Sequence, residues 1–126
     1  MKYHSTDKAP AAGGHYSQAV EANGLVYVSG QLPIRIGGGI PEGIAEQTRQ
    51  ALANVAAILE AAGTDMGRIV SATVFVQDIA LWPEVNRIWA EVFGDHRPAR
   101  TVAVSPQLHH GALIEIQSIA LVHPQG

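Results

Sequence analysis

Residues Ala112–Val122 constrain the fold of this chain more than any other stretch. Successive side chains of a strand point to opposite faces. Leu113, Ile119 and Leu121 fall on one face of such a strand, and Ile114, Ile116, Ala120 and Val122 on the other. A strand that is apolar on both sides has to be covered on both sides. The chain offers only two segments of helical period, enough to cover one face of a sheet. The second face then calls for another copy of the chain, which predicts a homo-oligomer. A single carboxylate, Glu115, interrupts this apolar run.

The two helical segments are found by their spacing. From Gly43 onward, Ile44, Thr48, Ala51, Leu52, Val55, Ile58, Leu59 and Ala62 recur every three or four residues, while Glu46, Arg49, Gln50, Asn54 and Glu60 fall largely outside that stripe. This predicts an amphipathic helix of about five turns, closed by Gly63 at its C′ position. The second helix has Pro83 in its first turn, an apolar stripe of Val85, Ile88, Trp89, Val92 and Phe93, and Gly94 as its stop. Between them, Ile69–Gln77 is rich in β-branched residues and predicts a buried strand. Val70, Ala72, Val74 and Val76 would share one face of it, and Ser71, Thr73 and Phe75 the other.

Ser17–Ala22 and Leu25–Val28 flank Asn23-Gly24, a pair suited to the positive φ angles of a type I′ hairpin turn. The second strand continues into Ser29-Gly30-Gln31, where Gly30 predicts a bulge or a close backbone approach. Lys2–Thr6 reads as a short edge strand, with loops at Ala9–Gly14 and around Arg35–Gly39 and Pro41. Arg100–Ser105 and Ala112–Val122 are the last two strands and are expected to be neighbours. The order β-β-β-α-β-α-β-β predicts one α+β domain over residues 1–126, a mixed six-stranded sheet with two helices on one face.

Charge and composition narrow the function. The 126 residues carry a net charge of −3, and only 15% of them are charged against 47% hydrophobic. No basic field exists to hold a polyanion, so no nucleic-acid partner is expected. The absence of cysteine excludes disulfides, Cys-based zinc sites and a Cys nucleophile. No apolar run approaches the roughly 18 residues of a membrane span, and residues 1–8 have no apolar signal-peptide core. The expected location is the cytoplasm, with no membrane association.

Arg100 follows a Pro-containing turn at the start of a strand, which fixes its guanidinium in place. Arginine binds carboxylates through paired charge-assisted hydrogen bonds, each contributing roughly 1.5–3 kcal/mol. Its two readings are a carboxylate ligand and a structural ion pair. Glu115 has two as well. Buried in Ile-Glu-Ile, its carboxyl would be raised in pKa and suited to acid/base work; at an edge, it would face solvent or pair with an Arg. Tyr16, Ser29, Gln31 and Asn86 are polar groups near glycines or at helix margins, and singly each reads as a turn or surface residue. The six histidines have no metal-ligand spacing, and His109 and His110, if extended, point apart. No metal site is expected. Gly37-Gly38-Gly39 lacks the context of a phosphate loop. Trp89 reads as core, and Trp82 as a cap on the sheet or on a subunit interface.

Taken in order, several stretches resemble the reactive intermediate deaminase (YjgF) family. They are Ala9-Pro10-Ala11-Ala12, Gly14-His15-Tyr16-Ser17-Gln18-Ala19-Val20, Val28-Ser29-Gly30-Gln31-Leu32-Pro33, Gln47–Asn54, Thr73–Asp78, Val85-Asn86, Arg97-Pro98-Ala99-Arg100-Thr101 and Ile114–Ala120. The resemblance implies a chorismate-mutase-like fold and a homotrimer with sites at the clefts between subunits. It implies an enzyme of the 2-iminobutanoate/2-iminopropanoate deaminase kind, which hydrolyses enamine and imine intermediates such as 2-aminoacrylate to 2-oxo acids and ammonia, with no cofactor. It puts the carboxylate clamp on Arg100, with main-chain help near Val102, and the water-orienting acid on Glu115. Tyr16, Ser29 and Asn86 would surround the pocket and Gly30 would form its wall. Val102 stands where many members carry Cys, His15 where Pro is frequent, and Gln117 where a second acid is frequent. Alternatives are a related substrate (2-aminomuconate or 3-aminoacrylate), a non-catalytic binder of small carboxylates, and an endoribonuclease or translation inhibitor.

Overall fold

The computed structural model describes residues 1–123. Its six main strands are β1 (Lys2–His4), β2 (Ala19–Ala22), β3 (Leu25–Gln31), β4 (Ile69–Val76), β5 (Ala99–Val104) and β6 (Ile114–Leu121); the helices are α1 (Ile44–Ala61) and α2 (Trp82–Phe93). They form a single mixed sheet of order β1-β2-β3-β6-β4-β5. All neighbours are antiparallel except β4 and β5. The sheet, its helices and the α+β class are as the sequence predicts. The expectation that the strands of Arg100 and Glu115 lie side by side is not met: β4 intervenes between β5 and β6. The reason is topological. The crossover through α2 lays β5 parallel against β4, so β6 pairs with the other edge of β4.

Local chemistry accounts for the element ends. Asn23 and Gly24 both have positive φ, 52° and 80°, as a type I′ turn requires. Helix α1 closes with a Schellman arrangement in which Gly63 N–H donates to the Glu60 carbonyl and Thr64 N–H to the Leu59 carbonyl, each at 3.0 Å. Gly63 holds φ 80° there, an angle most residues adopt only at a cost.

Burial alternates along the strands. On β6, Ile114, Ile116, Ser118 and Ala120 are buried, while Glu115, Gln117, Ile119 and Leu121 are half-buried or exposed. The buried side meets Val26 and Val28 of β3, Ala72, Val74 and Val76 of β4, and Leu52, Val55, Ile58, Leu59, Val85 and Trp89 of the helices. Each fully buried Val, Leu or Ile contributes roughly 1.5–3 kcal/mol. The opposite side is open, and Tyr27 and Leu121 remain 44% and 45% exposed on it. Two helices therefore cover one face only, as predicted.

Two bulges reset which side chains face the helices. In β3, Val28 pairs with Ser118 and Gln31 with Ile116, so the β3 segment has one extra residue, in the Ser29-Gly30 stretch. In β4, Ile69 pairs with Ala120 and Ser71 with Ile119. Val70 is the extra residue there, and it is 45% exposed while Ile69 is buried. The expectation that Val70 shares a face with Ala72, Val74 and Val76 is thus corrected, because strict alternation fails at a bulge. Among the described residues, no helix is long and apolar enough to cross a membrane.

Candidate active site

The bulge in β3 builds the first half of the site. It turns Gly30 toward Glu115 on the open face of the sheet. A Cβ on Gly30 would sit 3.1 Å from Glu115 Cδ and 3.4 Å from its Cγ, and closer still to a carboxylate oxygen. Glycine is needed here for space, which bears out the close approach read from the sequence. The Glu115 carboxylate is half-buried and makes no hydrogen bond or ion pair with any other described residue.

Around Glu115 lies an open groove of about 770 Å³, walled by Tyr16, Ser29, Gly30, Leu32, Ile34, His109, His110 and Gln117 among others. Buried amides hold its walls. Gln18 accepts from Thr6 N–H at 2.7 Å and donates to the carbonyls of Thr6 and Pro10, which fastens the loop that carries Tyr16. Asn54 donates to the carbonyls of Leu32 and Ile34 at 3.0 Å. Gln47 donates to Pro41 O at 3.0 Å and accepts from Leu113 N–H at 2.8 Å, which sets the entry of β6 two residues before Glu115. A buried amide with its partners satisfied fixes geometry, and an unsatisfied one is costly.

The polar groups facing the groove have defined roles in the chain. Tyr16 is 53% exposed, and its hydroxyl accepts from Gly13 N–H at 3.1 Å, leaving its own proton free to donate. The Ser29 hydroxyl donates to Ser17 O at 2.6 Å, so only its lone pairs face a ligand. His109 and His110 are not extended. They occupy a 3-10 turn in which His110 has φ 62°, and both rings line the groove with centroids 6.2 Å apart. The alternation that points neighbouring side chains apart in an extended segment does not apply in this turn.

The second half lies elsewhere. Arg100 pairs in register with Ala72, and Ala72 with Ser118. Both partners are buried on the helix-covered face. Glu115 pairs with Phe75 on the open face. Arg100 and Glu115 thus leave opposite faces of one sheet. The Arg100 guanidinium lies over α2, 4.5 Å from the ring centre of Trp82 and 5.3 Å from that of Trp89. It lines a separate pocket of about 390 Å³ together with Asn86, Arg97 and His96. Burial lowers its pKa, and no carboxylate among the described residues pairs with it. The structural ion pair is therefore absent within the described chain. Val102 is half-buried against the core on β5, one of the two edge strands of the sheet. So Tyr16, Ser29, Gly30 and Glu115 come together in one groove, and Arg100 and Asn86 in another. Among the described residues no three His, Asp or Glu side chains cluster as metal ligands.

Comparison with known proteins gives this geometry a setting. A model of the family described as Endoribonuclease L-PSP matches residues 6–122. The chain is 43% identical over 122 residues to a Bos taurus 2-iminobutanoate/2-iminopropanoate deaminase, covering 95% of this chain and 89% of that protein. It is 42% identical over 118 residues to the chloroplastic Reactive Intermediate Deaminase A of Arabidopsis thaliana, covering 92% of this chain and 63% of that one. Among solved structures, Escherichia coli TdcF with bound serine superposes with a TM-score of 0.93 at 34% identity, over 98% of this chain and all of that one.

Proposed function

The chain belongs to the Endoribonuclease L-PSP family, which includes the reactive intermediate deaminases, and on that premise we propose that it hydrolyses small enamine and imine acids to 2-oxo acids and ammonia. The substrates are 2-iminopropanoate, the tautomer of 2-aminoacrylate, and its homologue 2-iminobutanoate. The observation that carries the reading is a pair of charges with no partner among the described residues, Arg100 and Glu115, on opposite faces of one sheet. A site that uses both is assembled from two copies. Arg100 at the β5 edge of one subunit meets the Glu115 groove on the open face of the next, in a homotrimer.

In this site the in-plane N–H groups of Arg100 hold the substrate carboxylate, aided by the main chain near Val102 and by Asn86. Water enters the Glu115 groove and donates a hydrogen bond to the carboxylate, which acts as general base. The water oxygen attacks C2 of the iminium, and its proton passes to Glu115. Glu115 returns that proton to the aminol nitrogen. The C2–N bond then breaks as the hydroxyl proton passes to the Glu115 carboxylate, so that C2 becomes the carbonyl of the oxo acid and the released ammonia takes this last proton and leaves as ammonium. Tyr16 donates a hydrogen bond from its hydroxyl to the oxygen bound at C2, without giving up the proton. Positioning supplies most of the effect, so no cofactor is required. Serine in the TdcF structure is likewise a small α-carboxylate.

The endoribonuclease of the family description is disfavoured by charge: the chain carries −3, and within one subunit no described Lys or Arg lines the Glu115 groove. The proposed location is the cytoplasm. The test generates 2-aminoacrylate in situ and follows oxo-acid release above the spontaneous rate. Wild type accelerates release, whereas Arg100→Ala and Glu115→Ala do not; an Arg100→Ala variant as fast as wild type would overturn the clamp.

A further inference from the structure

Trp82 and Trp89 are the only tryptophans in the chain, and both meet the same cation. The Arg100 guanidinium carbon is 4.5 Å and 5.3 Å from their ring centres, inside the roughly 6 Å reach of a cation–π contact. Trp82, Asn86 and Trp89 are spaced i, i+4, i+7 on α2, so one helix face presents both rings and the amide. The floor of this shelf is rigid: Trp89 is only 6% exposed and its ring lies 4.7 Å from that of Phe93. Trp82 is half-buried and packs on the core.

A guanidinium has two separate binding surfaces. Its flat face stacks on aromatic rings, and its edge donates N–H bonds in the plane. Stacking therefore leaves the fork free for a bidentate carboxylate. It also removes water from one face of the cation, in line with the lowered pKa that burial gives Arg100. A flexible arginine at an exposed strand edge would otherwise lose side-chain entropy on clamping a ligand.

We propose that Trp82 and Trp89 are positioning residues, an indole shelf that holds the Arg100 guanidinium flat and turns its N–H edge toward the substrate carboxylate. This rests on the clamp reading of Arg100. The test measures 2-oxobutanoate binding by calorimetry and imine turnover in wild type, Trp82→Leu, Trp82→Phe, Trp89→Phe, Arg100→Ala and the Arg100→Ala/Trp82→Leu double variant, each checked for a wild-type circular dichroism spectrum. Leucine preserves packing without a π face, and phenylalanine restores the face. Trp82→Leu raises Kd and KM by roughly 3- to 30-fold and leaves kcat within about twofold. Trp82→Phe recovers most of that loss, Trp89→Phe, which keeps a smaller π face, raises Kd less than Trp82→Leu does, and in the Arg100→Ala background Trp82→Leu adds nothing. Unchanged affinity in Trp82→Leu, equal losses in the Leu and Phe variants, or the same loss with and without Arg100 each overturns the shelf. Wild-type binding without turnover removes the deaminase reading and leaves the shelf standing. A wild type that binds no oxo acid overturns the clamp and the shelf together.

Discussion

Replacing Gly30 with alanine puts a methyl group into space held by the Glu115 carboxylate. The added Cβ lies 3.1 Å from Glu115 Cδ and 3.4 Å from Cγ, so the acid has to swing aside. Gly30 is not among the positive-φ glycines, and alanine accepts its backbone without strain. No described residue holds the carboxylate by a hydrogen bond, and it opens on a groove. Its displacement then costs about 0.5–1.5 kcal/mol, the range of an off-rotamer side chain. Stability falls by about 1 kcal/mol, read as a shift in the urea midpoint. On the proposed mechanism the chemical step suffers more, since moving a general base by about 1 Å costs on the order of 100-fold. With imine generated in situ, kcat drops by about two orders of magnitude, and KM stays within roughly threefold because Arg100 is untouched. Adding Gly30→Ala to Glu115→Ala lowers the rate no further. A folded Gly30→Ala variant with wild-type kcat, or an added loss in the Glu115→Ala background, would refute the reasoning.

Further outcomes follow from the same contacts. Arg100→Lys keeps the charge but loses the planar fork, and KM rises by roughly 10- to 100-fold, measured in steady-state turnover. Gln47→Ala leaves Leu113 N–H and Pro41 O without their buried partner, and urea denaturation reads a loss of about 2–4 kcal/mol. Ser29→Ala removes a bond to Ser17 O; it costs about 1 kcal/mol in the same measurement and changes kcat/KM by less than about threefold, because the hydroxyl proton is directed at the protein. Sedimentation gives a species of three times the 13.3 kDa chain mass, and Leu121→Glu on the open face dissociates it.

Much of the fold was legible because the deciding signals are local. Asn23-Gly24 specifies its own turn, and the Ile44–Ala62 stripe specifies a helix face. Gly30 signals a close approach without saying to what. The face rule on Ala112–Val122 also exposed the open side of the sheet. What stayed hidden depends on long-range pairing. Strand order cannot be read from alternation, so the interposition of β4 between Arg100 and Glu115 needed the structure. Val70 escaped because a bulge shifts the alternation by one residue and leaves no mark in composition. His109 and His110 escaped because a turn with a positive φ at His110 places two neighbouring rings in one groove. Trp89 was legible as core, but the meeting of both indoles with Arg100 joins α2 to β5 across a loop. The deaminase reading came from the resemblance; the charges alone left Arg100 as readily structural as catalytic.

The central claim is that Arg100 and Glu115 act from different subunits, and subunit mixing tests it most directly. Arg100→Ala and Glu115→Ala chains, each inactive alone, are refolded together and assayed with imine generated in situ. A composite site predicts that activity returns, to about a quarter of the wild-type level per site in randomly mixed trimers at equal ratio. Activity no greater than that of the two separate variants, in mixed trimers verified by mass, would contradict it.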